Sequence, residues 1–596
     1  MPFDGLVLSA VKQELDILTG GRIERIHQPS KDEVVMNIHR PGGKQRLVLS
    51  AHAYKTRVHI TTQTKENPLS APLFCMVLRK HLEGGRICGF SQPGLDRVLT
   101  IDIEARDELG QMTRKHLICE IMGKHSNIIL VDTVQNTIID GIKRYSHSVS
   151  RHREVLPGRV YLPPPEQEKQ NPLLLTEDSF REYLLAGSLD AKVANIMQKA
   201  FDGLSPLICR EVVYRSGLAA DLILDHCGEH ELRLLWQALA SITSNAHKGD
   251  FYPVILHDRI GLPVDFAAFD ITHLEGLSRE TGTMCSVLDQ YYTAVYSVDL
   301  VNGQKQGLNQ VVNKEIKRLQ KKITIHRQSL LDAEEAEKYK LYGELLTANL
   351  YRVPHGEPEV ELENFYHPQG ESIIVYLNPH LSPSDNAQGF FKKYLKAKHT
   401  KVAAEELARQ ADAELAYLES VEISIAQAVT VAEIVEIRQE LVEQGLLTQA
   451  SRRVNPKKDK KDKKEREKPR PMSFRSTDGI QILVGKNNRQ NDYLTMKMAS
   501  EEDIWLHTKD IPGSHVIIRT EGKEITETTL FEAATLAAYF SKARNSAKVP
   551  VDYTARKFVH KPNGAKPGYV IYDKQKTLFV NPTEEMLEKM TAIKTL

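Results

Sequence analysis

The residue types best suited to binding a nucleic acid lie near the C-terminus of the chain. Residues 503–507 are Asp-Ile-Trp-Leu-His, and residues 511–518 are Ile-Pro-Gly-Ser-His-Val-Ile-Ile. A Pro-Gly turn between apolar, β-branched runs predicts two short strands joined by a loop. Such a loop would gather imidazoles, a hydroxyl and free backbone N–H groups, which suit phosphate or ribose oxygens. The residues that we predict at this surface are Trp505, His507, Ser514 and His515.

A basic segment interleaved with aromatic residues follows this loop, from Arg544 to Tyr569. Cations suit the phosphates of RNA, and aromatic rings suit its unstacked bases. The alternative is an ordinary small α/β domain in which Trp505 belongs to the core. The cations that we predict to bind RNA are Arg556, Lys557, Lys561 and Lys566.

Two short motifs in the first part of the chain combine charged and polar groups. Asp96 and Arg97 follow a Gln-Pro-Gly turn and open a predicted strand, so their side chains point to opposite faces. They could equally be two unrelated surface charges. The second motif is a tight turn with a cation, an imidazole, a hydroxyl and an amide, which suits a phosphate or terminal nucleotides. Its residues are Gly123, Lys124, His125, Ser126 and Asn127.

The sequence lacks the common signatures of a catalytic or metal site. It has no GxxxxGK[ST] loop, no GxSxG elbow and no HExxH pair, so we predict no catalytic residue, no cofactor and no enzyme activity. The six cysteines are scattered without a CxxC pair, which indicates reduced thiols in a reducing compartment. His226, Cys227 and His230 lack a second ligand pair, so we predict no metal site there.

Length and composition limit the class of protein. A chain of 596 residues exceeds the size of one core, so several domains are expected. The apolar runs are too short to cross a membrane. The chain begins without a basic segment followed by an apolar one, so we predict a cytosolic protein rather than a secreted one. A net charge of +1 says nothing about partners.

The first half of the chain divides into two predicted domains. Over residues 1–172 short β-like runs alternate with helical segments, which predicts an α/β domain. Its predicted elements are a helix at the start, a helix at 72–82, and strands at 34–38, 46–49, 98–103, 117–121 and 127–131. Residues 173–275 look helical. Within them Phe-Asp-Gly-Leu-Ser-Pro at 201–206 fits the hairpin of a helix-hairpin-helix unit, although a purely structural turn fits as well.

Two heptad patterns predict a long coiled-coil hairpin over residues 276–448. One runs from Val312 to Ala333 and the other from Leu407 to Val435, so an antiparallel pair within one chain is favoured over a dimer. A β-like run at 373–377 predicts a small non-helical insertion at about 350–385. Such a stalk would separate two binding ends by tens of ångströms, at ~1.5 Å per residue.

A basic linker separates this hairpin from the last domain. Residues 451–471 hold eleven Lys or Arg against four acidic residues and show no apolar periodicity. We predict a disordered linker over 449–472 that acts as a spacer and also touches RNA phosphates. Residues 473–596 are predicted to form a small α/β domain.

The last domain carries a resemblance to a known family. The segments GKNNRQNDYLTMKMA, DIWLHTKDIPGSHVII and HKPNGAKPGYVIYDKQKTLFV resemble the NFACT-R domain, and the whole chain resembles the RqcH and NEMF family of ribosome quality-control factors. The first 172 residues resemble the NFACT-N domain, which is similar to the N-terminal domain of formamidopyrimidine-type DNA glycosylases. The family's Asp-Arg motif falls on Asp96 and Arg97, and its Glu-x-x-Gly-Lys-x-Ser-Asn run falls on Glu120 to Asn127.

The resemblance implies a function in translation. Members of this family bind large ribosomal subunits obstructed by peptidyl-tRNA, recruit alanyl-tRNA and direct template-free alanine tailing of the stalled chain. It also implies that Asp96, Arg97 and the run from Glu120 engage tRNA, and that the protein is cytoplasmic and associated with ribosomal RNA. Peptidyl transfer would belong to the ribosome, so the protein would position reactants.

Two other functions are open at this point. Family members have been catalogued as fibronectin-binding proteins, so a surface adhesin is the main alternative, although the sequence shows no export signal. A structural scaffold would explain the stalk but not the two motifs. The sequence argues against base excision, because Phe3 occupies the position of the glycosylases' catalytic acid and no four-cysteine cluster is present.

Overall fold

The computed structural model describes residues 3–107, 109–148, 152–165, 168–258, 261–368, 370–448, 471–583 and 590–592. The chain divides into two compact units, Met1–Tyr296 and Ser297–Leu596. Both units combine helices with antiparallel sheets, so the chain is a multidomain α+β protein. Among the described residues, no helix has the length and apolar character needed to cross a membrane.

The first unit begins with a nine-stranded sheet in the order β4-β3-β2-β1-β5-β6-β7-β8-β9. All of its paired strands run antiparallel, so the α/β class predicted for residues 1–172 is wrong. The reason is that most strands pair with their sequence neighbours across short turns, which only antiparallel strands allow. The strands are β1 (Arg22–Ser30), β2 (Glu33–Arg40), β3 (Gly43–Ser50), β4 (Arg57–Ile60), β5 (Arg86–Ser91), β6 (Val98–Arg106), β7 (Met112–Glu120), β8 (Asn127–Asp132) and β9 (Thr137–Gly141).

Two helices pack on this sheet, α1 (Gly5–Leu15) and α2 (Leu73–Leu82). The Asp4 side chain accepts a hydrogen bond from the Val7 backbone N–H and so caps α1. The helices predicted at the start and at 72–82 are confirmed, and the five predicted strands overlap β2, β3, β6, β7 and β8.

Four helices follow in the first unit: α3 (Glu177–Leu185), α4 (Val193–Ala200), α5 (Pro206–Arg215) and α6 (Glu229–Lys248). As expected from the Ser-Pro pair, Ser205 caps α5 and Pro206 is its first residue. The prediction that 173–275 is helical is wrong at its end. Gly249, at φ +73°, ends α6, and a three-stranded antiparallel sheet follows, formed by β10 (Val254–His257), β11 (Pro263–Ala267) and β12 (Ser278–Thr281).

A pair of long helices occupies much of the second unit. Helix α7 (Met284–Glu334) begins at Met284 rather than at 276, because Ser278–Thr281 is a strand, and α9 is Pro383–Gln427. Buried residues of both predicted heptad patterns share one core cluster. Residue numbers fall along α9 as they rise along α7, so the two helices are antiparallel, as shown by the contacts Lys305–Ala426, Arg327–Asp412 and Glu334–Lys401. The supercoil itself stays a prediction.

Shorter elements complete this helical part. Helix α8 (Glu337–Ala348) and a two-stranded sheet of β13 (Glu359–Glu363) and β14 (Ser372–Tyr376) lie between the long helices in sequence. The sheet falls within the predicted non-helical insertion at about 350–385, whereas α8 precedes it and was not predicted. The second heptad pattern is not one helix. Thr430 caps a separate helix, α10 (Val431–Glu443), and leaves Val435 exposed.

The C-terminal domain is a seven-stranded sheet in the order β22-β19-β17-β18-β16-β15-β23. Its paired strands are antiparallel, so the α/β class predicted here is also wrong. The predicted linker 449–472 lies outside the described residues except for 471 and Met472, and Met472 already belongs to β15. The elements are β15 (Met472–Arg475), β16 (Gln481–Val484), α11 (Asn488–Tyr493), β17 (Ile504–Thr508), β18 (Val516–Ile518), α12 (Glu527–Tyr539), β19 (Val549–Ala555), β20 (Val559–His560), β21 (Ile571–Tyr572), β22 (Lys576–Val580) and β23 (Thr591–Ala592).

Gly203, in the turn between α4 and α5, provides a test of this packing. It has φ +69°, and a Cβ there would lie 2.5 Å from the Leu95 Cβ and 2.6 Å from the Leu95 carbonyl oxygen. Gly217 has φ +73° but no atom within 4 Å of its Cβ position. We expect Gly217→Ala to cost ~1 kcal/mol of unfolding free energy through backbone strain alone. Gly203→Ala should cost ~1–3 kcal/mol more through overpacking. Urea unfolding of the two variants measures the difference, and equal losses would show that the turn is not packed against Leu95.

Candidate nucleic-acid-binding sites

The register of strands β6 and β7 brings the two N-terminal motifs together. Val98 pairs with Glu120, and the Ile121 backbone N–H donates to the Arg97 carbonyl oxygen at 2.8 Å. Asp96 and Arg97 therefore lie beside the turn that begins at Gly123. The sequence predicted both motifs but not that they share one edge of the sheet.

A small cavity of about 170 Å³ lies at this edge. The turn between α4 and α5 closes it, because the Gly5 backbone N–H donates to the Gly203 carbonyl oxygen at 3.1 Å. The cavity therefore joins the Asp-Arg motif to the predicted helical hairpin. Its polar lining residues are Asp4, Asp96, Arg97, Lys169, Gln198, Asp202 and Ser205.

Asp4 belongs to this cavity, and the sequence analysis did not identify it. Its Oδ1 accepts from the Val7 N–H at 3.0 Å, and its Oδ2 accepts from the Ser205 hydroxyl at 2.7 Å. Burial raises the pKa of Asp4 to about 6. The available signal was the acidic residue directly before a helix of apolar residues, which indicates an N-cap.

The Arg97 side chain remains available to a ligand. The Asp96 Oδ1 accepts from the Arg97 backbone N–H at 2.7 Å. Burial raises the pKa of Asp96. Within the part of the chain that the structure describes, the Arg97 guanidinium makes no hydrogen bond and no ion pair within 4 Å, although its positive charge partly offsets the effect of burial on the pKa of Asp4 and of Asp96. A guanidinium with free donors suits a phosphate, which it can bind through two parallel hydrogen bonds.

The run from Glu120 divides into buried and exposed residues. Both Glu120 oxygens accept from Arg153, at 2.7 and 2.5 Å, and the Tyr161 hydroxyl adds a third bond at 3.0 Å. The Ser126 hydroxyl accepts from the backbone N–H of Met122 at 2.8 Å. These side chains hold the turn, so the prediction that Glu120 and Ser126 contact tRNA is corrected.

Asn127 and Gly123 also shape the turn. The Asn127 amide accepts from the Lys143 backbone N–H at 3.0 Å and donates to its carbonyl oxygen at 2.9 Å. Asn127 is buried, so its predicted contact with tRNA is corrected too. Gly123 has φ +62°, which glycine adopts without strain. Lys124 and His125 are exposed at the tip and are the members of this run that a ligand can reach.

Three of the four residues predicted to contact RNA at the C-terminal loop are buried, and the fourth, His507, is half-buried. Trp505 is 0% exposed and packs with Leu483, Leu494 and Ile517, so it belongs to the core, which was the alternative considered for it. Ser514 and His515 are buried as well. Stacking needs an open aromatic face, so Trp505 cannot stack on a base in this arrangement.

The two histidines of this loop are neutral rather than cationic. Burial lowers the pKa of His507, and burial lowers the pKa of His515 well below its usual range. The His515 Nδ1 lies 2.8 Å from the Thr495 hydroxyl. His515 therefore has a structural partner, and neither imidazole supplies positive charge for a phosphate.

The four predicted RNA-binding cations all have partners within the chain. Arg556 donates to the Thr495 carbonyl oxygen at 2.8 Å and is structural, which corrects its predicted role. Ion pairs at the surface contribute little to stability, so lysines in such pairs can exchange their partner for a phosphate. The three lysine pairs are Lys557–Glu502 at 3.1 Å, Lys566–Glu414 at 3.6 Å and Lys561–Asp492.

The segment GKNNRQND at 485–492 holds the C-terminal domain against α9 and α10. Each contact joins a polar side chain of this segment to an acidic residue of α10. Sequence reasoning missed the interface, although acidic residues at 433, 436, 440 and 443 follow the 3–4 spacing of one helix face. The contacts are Lys486–Glu433 at 2.6 Å, Asn487–Glu436 at 2.8 Å, Gln490–Glu436 at 3.0 Å, Asn488–Glu440 at 3.0 Å and Arg489–Glu443 at 3.6 Å.

The comparisons with known proteins identify the family. Residues 4–464 match the NFACT N-terminal and middle domains, and residues 470–573 match the NFACT protein RNA binding domain. The chain belongs to the NFACT family. It is 43% identical to the Rqc2 homolog RqcH of Bacillus subtilis, over 99% of this chain and 100% of that protein. It is 39% identical to the Rqc2 homolog RqcH of Streptococcus suis, over 99% and 100%.

These relatives support a role in ribosome quality control, with ribosome and RNA partners. A solved structure is also similar: the C-terminal part of the fibronectin/fibrinogen-binding protein from Streptococcus suis. It is 38% identical, covers 49% of this chain and 99% of that one, and has a TM-score of 0.38. The likeness to glycosylases, the helix-hairpin-helix unit and fibronectin as a partner stay predictions.

Lys124 and Ser126 test the division of the tight turn into exposed and structural residues. We expect Lys124→Ala to change the unfolding free energy by less than ~0.5 kcal/mol, because an exposed side chain is removed. Ser126→Ala should cost ~1–3 kcal/mol, because the Met122 N–H loses its acceptor. Denaturant unfolding measures both. A destabilised Lys124→Ala, or a Ser126→Ala as stable as the unsubstituted protein, would contradict the assignment.

Glu440 tests the interface between α10 and the C-terminal domain. Burial raises the pKa of Glu440 to about 7, and its Oε1 accepts from the Tyr417 hydroxyl and from Asn488. An acid whose pKa is raised by folding loses stability as the pH rises from its ordinary pKa near 4.5 to about 7. Glu440→Gln keeps both acceptor bonds without charge. We expect it to raise the unfolding free energy at pH 8 by as much as ~3 kcal/mol and to leave it little changed at pH 4.

Thermal or urea unfolding of the full chain at both pH values gives this difference. A neighbouring control is Glu436→Gln, since Glu436 belongs to the same acidic face but is only half-buried. A Glu440→Gln effect that is equal at pH 4 and pH 8 would show that the carboxyl is not buried.

Proposed function

We propose that the chain binds obstructed large ribosomal subunits that carry peptidyl-tRNA, and recruits alanyl-tRNA for template-free alanine tailing of the stalled nascent chain. Family membership supports the ribosomal part of this proposal. The observation that carries the tRNA part is the unpaired Arg97 guanidinium beside the exposed Lys124 and His125. Three side chains with cationic or polar ends, at one edge of the sheet, suit consecutive phosphates or nucleotides of a folded RNA.

In this proposal the N-terminal edge contributes binding and orientation. Arg97 and Lys124 bind phosphate oxygens, and His125 adds a hydrogen bond or a stacking face. Asp96, whose pKa is raised by burial, accepts from or shares a proton with a ribose hydroxyl or a base edge. The ribosome's own RNA performs peptidyl transfer. The contribution to rate is therefore the positioning of the aminoacylated end.

The location and partners follow from the same proposal. The protein acts in the cytoplasm on the large subunit, with ribosomal RNA, alanyl-tRNA and peptidyl-tRNA as partners. Lys557 and Lys566 contribute phosphate contacts in the C-terminal domain after exchanging their acidic partners.

The double variant Asp96→Ala with Arg97→Ala tests the tRNA site. Cells that express it should still show the protein in large-subunit fractions but should lose alanine tails on a stalled reporter, because the tRNA contact is removed. Sedimentation measures subunit binding, and mass spectrometry of the reporter's C-terminus measures tails. The matched control is Glu104→Ala with Arg106→Ala, which removes an acid and an arginine from the other end of strand β6. This control should keep its tails. Tails that persist in the Asp96/Arg97 variant would overturn the assignment.

A further inference from the structure

A second, larger cavity lies within the second unit, between α9 and the C-terminal domain. Its volume is about 750 Å³, which is in the range of sites that hold a ligand of nucleotide size. Gln410, Glu414 and Tyr417 of α9 form one wall. His507, Tyr569 and Tyr572 of the domain form the opposite wall. Neither motif of the N-terminal edge contributes to it.

The walls of this cavity are built before any ligand arrives. The Gly568 backbone N–H donates to the Asp492 carboxylate at 3.1 Å. Gly568 has φ +79°, and a Cβ there would lie 2.5 Å from the Asn488 amide oxygen. Gly513, on the other loop of the cavity, packs equally closely, since its Cβ would lie 2.8 Å from the Ser541 Cβ. Glycines at both loops let the backbone pack closely against the domain, and the fixed position of the loops reduces the ordering cost of binding.

Aromatic rings form the floor of the cavity. The Trp505 and Tyr572 ring centroids are 4.7 Å apart, and the Trp505 and His507 rings are stacked at 5.8 Å. Trp505 is itself buried and supports the rings above it. Tyr569 is 55% exposed at the mouth. His507, Tyr569 and Tyr572 line the cavity together with Trp505.

The charged residues that line the cavity are one lysine, Lys566, and two acidic residues, Glu414 and Asp510. The two imidazoles are neutral, because burial lowers the pKa of His507 and of His515. Lys566 neutralises Glu414 at 3.6 Å and lies over the Tyr417 ring, 4.6 Å from its centroid. The interior therefore disfavours a phosphate group. It favours a flat, uncharged ring whose edge can bond to the Gln410 amide of the α9 wall. The Asn488 amide, in contrast, already donates to Ser420 and Glu440.

We propose that this cavity takes one unstacked nucleobase of the bound RNA, with its sugar and phosphates outside. This inference rests on the proposed function, since it requires that the C-terminal domain bind RNA. Single-stranded RNA is recognised by stacking splayed bases on aromatic side chains, and stacking is available to every base. Tyr569 at the mouth and His507 and Tyr572 within provide the faces, and Lys566 at the edge is placed to meet the adjoining phosphate.

The test compares a fluorescent RNA decamer of uridines with a decamer of the same length in which every nucleotide is an abasic ribose. The full-length protein should bind the base-bearing RNA about tenfold more tightly, which corresponds to the stacking of one base. Tyr569→Ala should lose most of this preference while its affinity for the abasic RNA stays unchanged. Tyr569→Phe should keep the preference, because the ring remains.

Two further variants separate the possible outcomes. Phe579→Ala removes an aromatic side chain of the same domain that is 65% exposed and does not line the cavity, so it should keep the preference. Gln410→Trp fills the cavity from the α9 side and should lose the preference as Tyr569→Ala does. Equal binding of both RNAs by the unsubstituted protein, or a preference that survives both Tyr569→Ala and Gln410→Trp, would overturn the nucleobase site and leave the proposed function intact. Failure of the unsubstituted protein to bind either RNA would count against both.

Discussion

The N-terminal site depends on a close contact between backbone segments on either side of Leu95. A Cβ at Gly5 would lie 2.0 Å from the Leu95 carbonyl oxygen, and one at Gly203 would lie 2.5 Å from the Leu95 Cβ. Only glycine fits at either position, so the start of α1 and the α4–α5 turn both reach the residue directly before Asp96. The position of the Asp-Arg motif relative to Ser205 is therefore set by backbone packing. Flexible side chains contribute little to this position. Such rigidity suits the role proposed for the site, which is to orient a large ligand.

Burial and exposure give different roles to the charged residues at this edge of the sheet. Placing the Glu120 carboxylate in the core is costly unless it is fully bonded, and Arg153 and Tyr161 supply those bonds. Arg97 receives no such partner among the described residues, although acidic groups line the same cavity. A guanidinium held in no close ion pair can bind a phosphate without first releasing a partner, although the neighbouring carboxylates repel that phosphate. Two charged residues of the same edge thus have different roles, because the buried Glu120 holds the turn and Arg97 stays open to a ligand.

The sequence predicted the parts of the structure that depend on local patterns. Period-two and heptad patterns located the strands and the long helices, and the Ser-Pro pair located the start of α5. Strand direction was mispredicted because alternation reveals the face of a residue but not its partner. For the N-terminal site the sequence identified both motifs but not their proximity. That proximity depends on the Val98–Glu120 register of β6 and β7. Asp4 joins the site only through tertiary packing. The C-terminal loop was misjudged because residue type alone does not show whether Trp505 faces solvent or the core.

The C-terminal domain shows why a family motif and a ligand contact have to be distinguished. Residues 485–492 carry part of the resemblance to an RNA-binding domain, yet their side chains bond to acidic residues of α10. A segment whose amides and cations are already bonded to carboxylates has little left for a phosphate. RNA contact then has to come from elsewhere in the domain. The cavity between α9 and the C-terminal domain offers such a place. It exists because the acidic face of α10 holds the domain in position against α9. In the proposed nucleobase site the motif would contribute to binding indirectly, by fixing Asn488 and Asp492 under the Gly568 loop that forms one wall of the cavity.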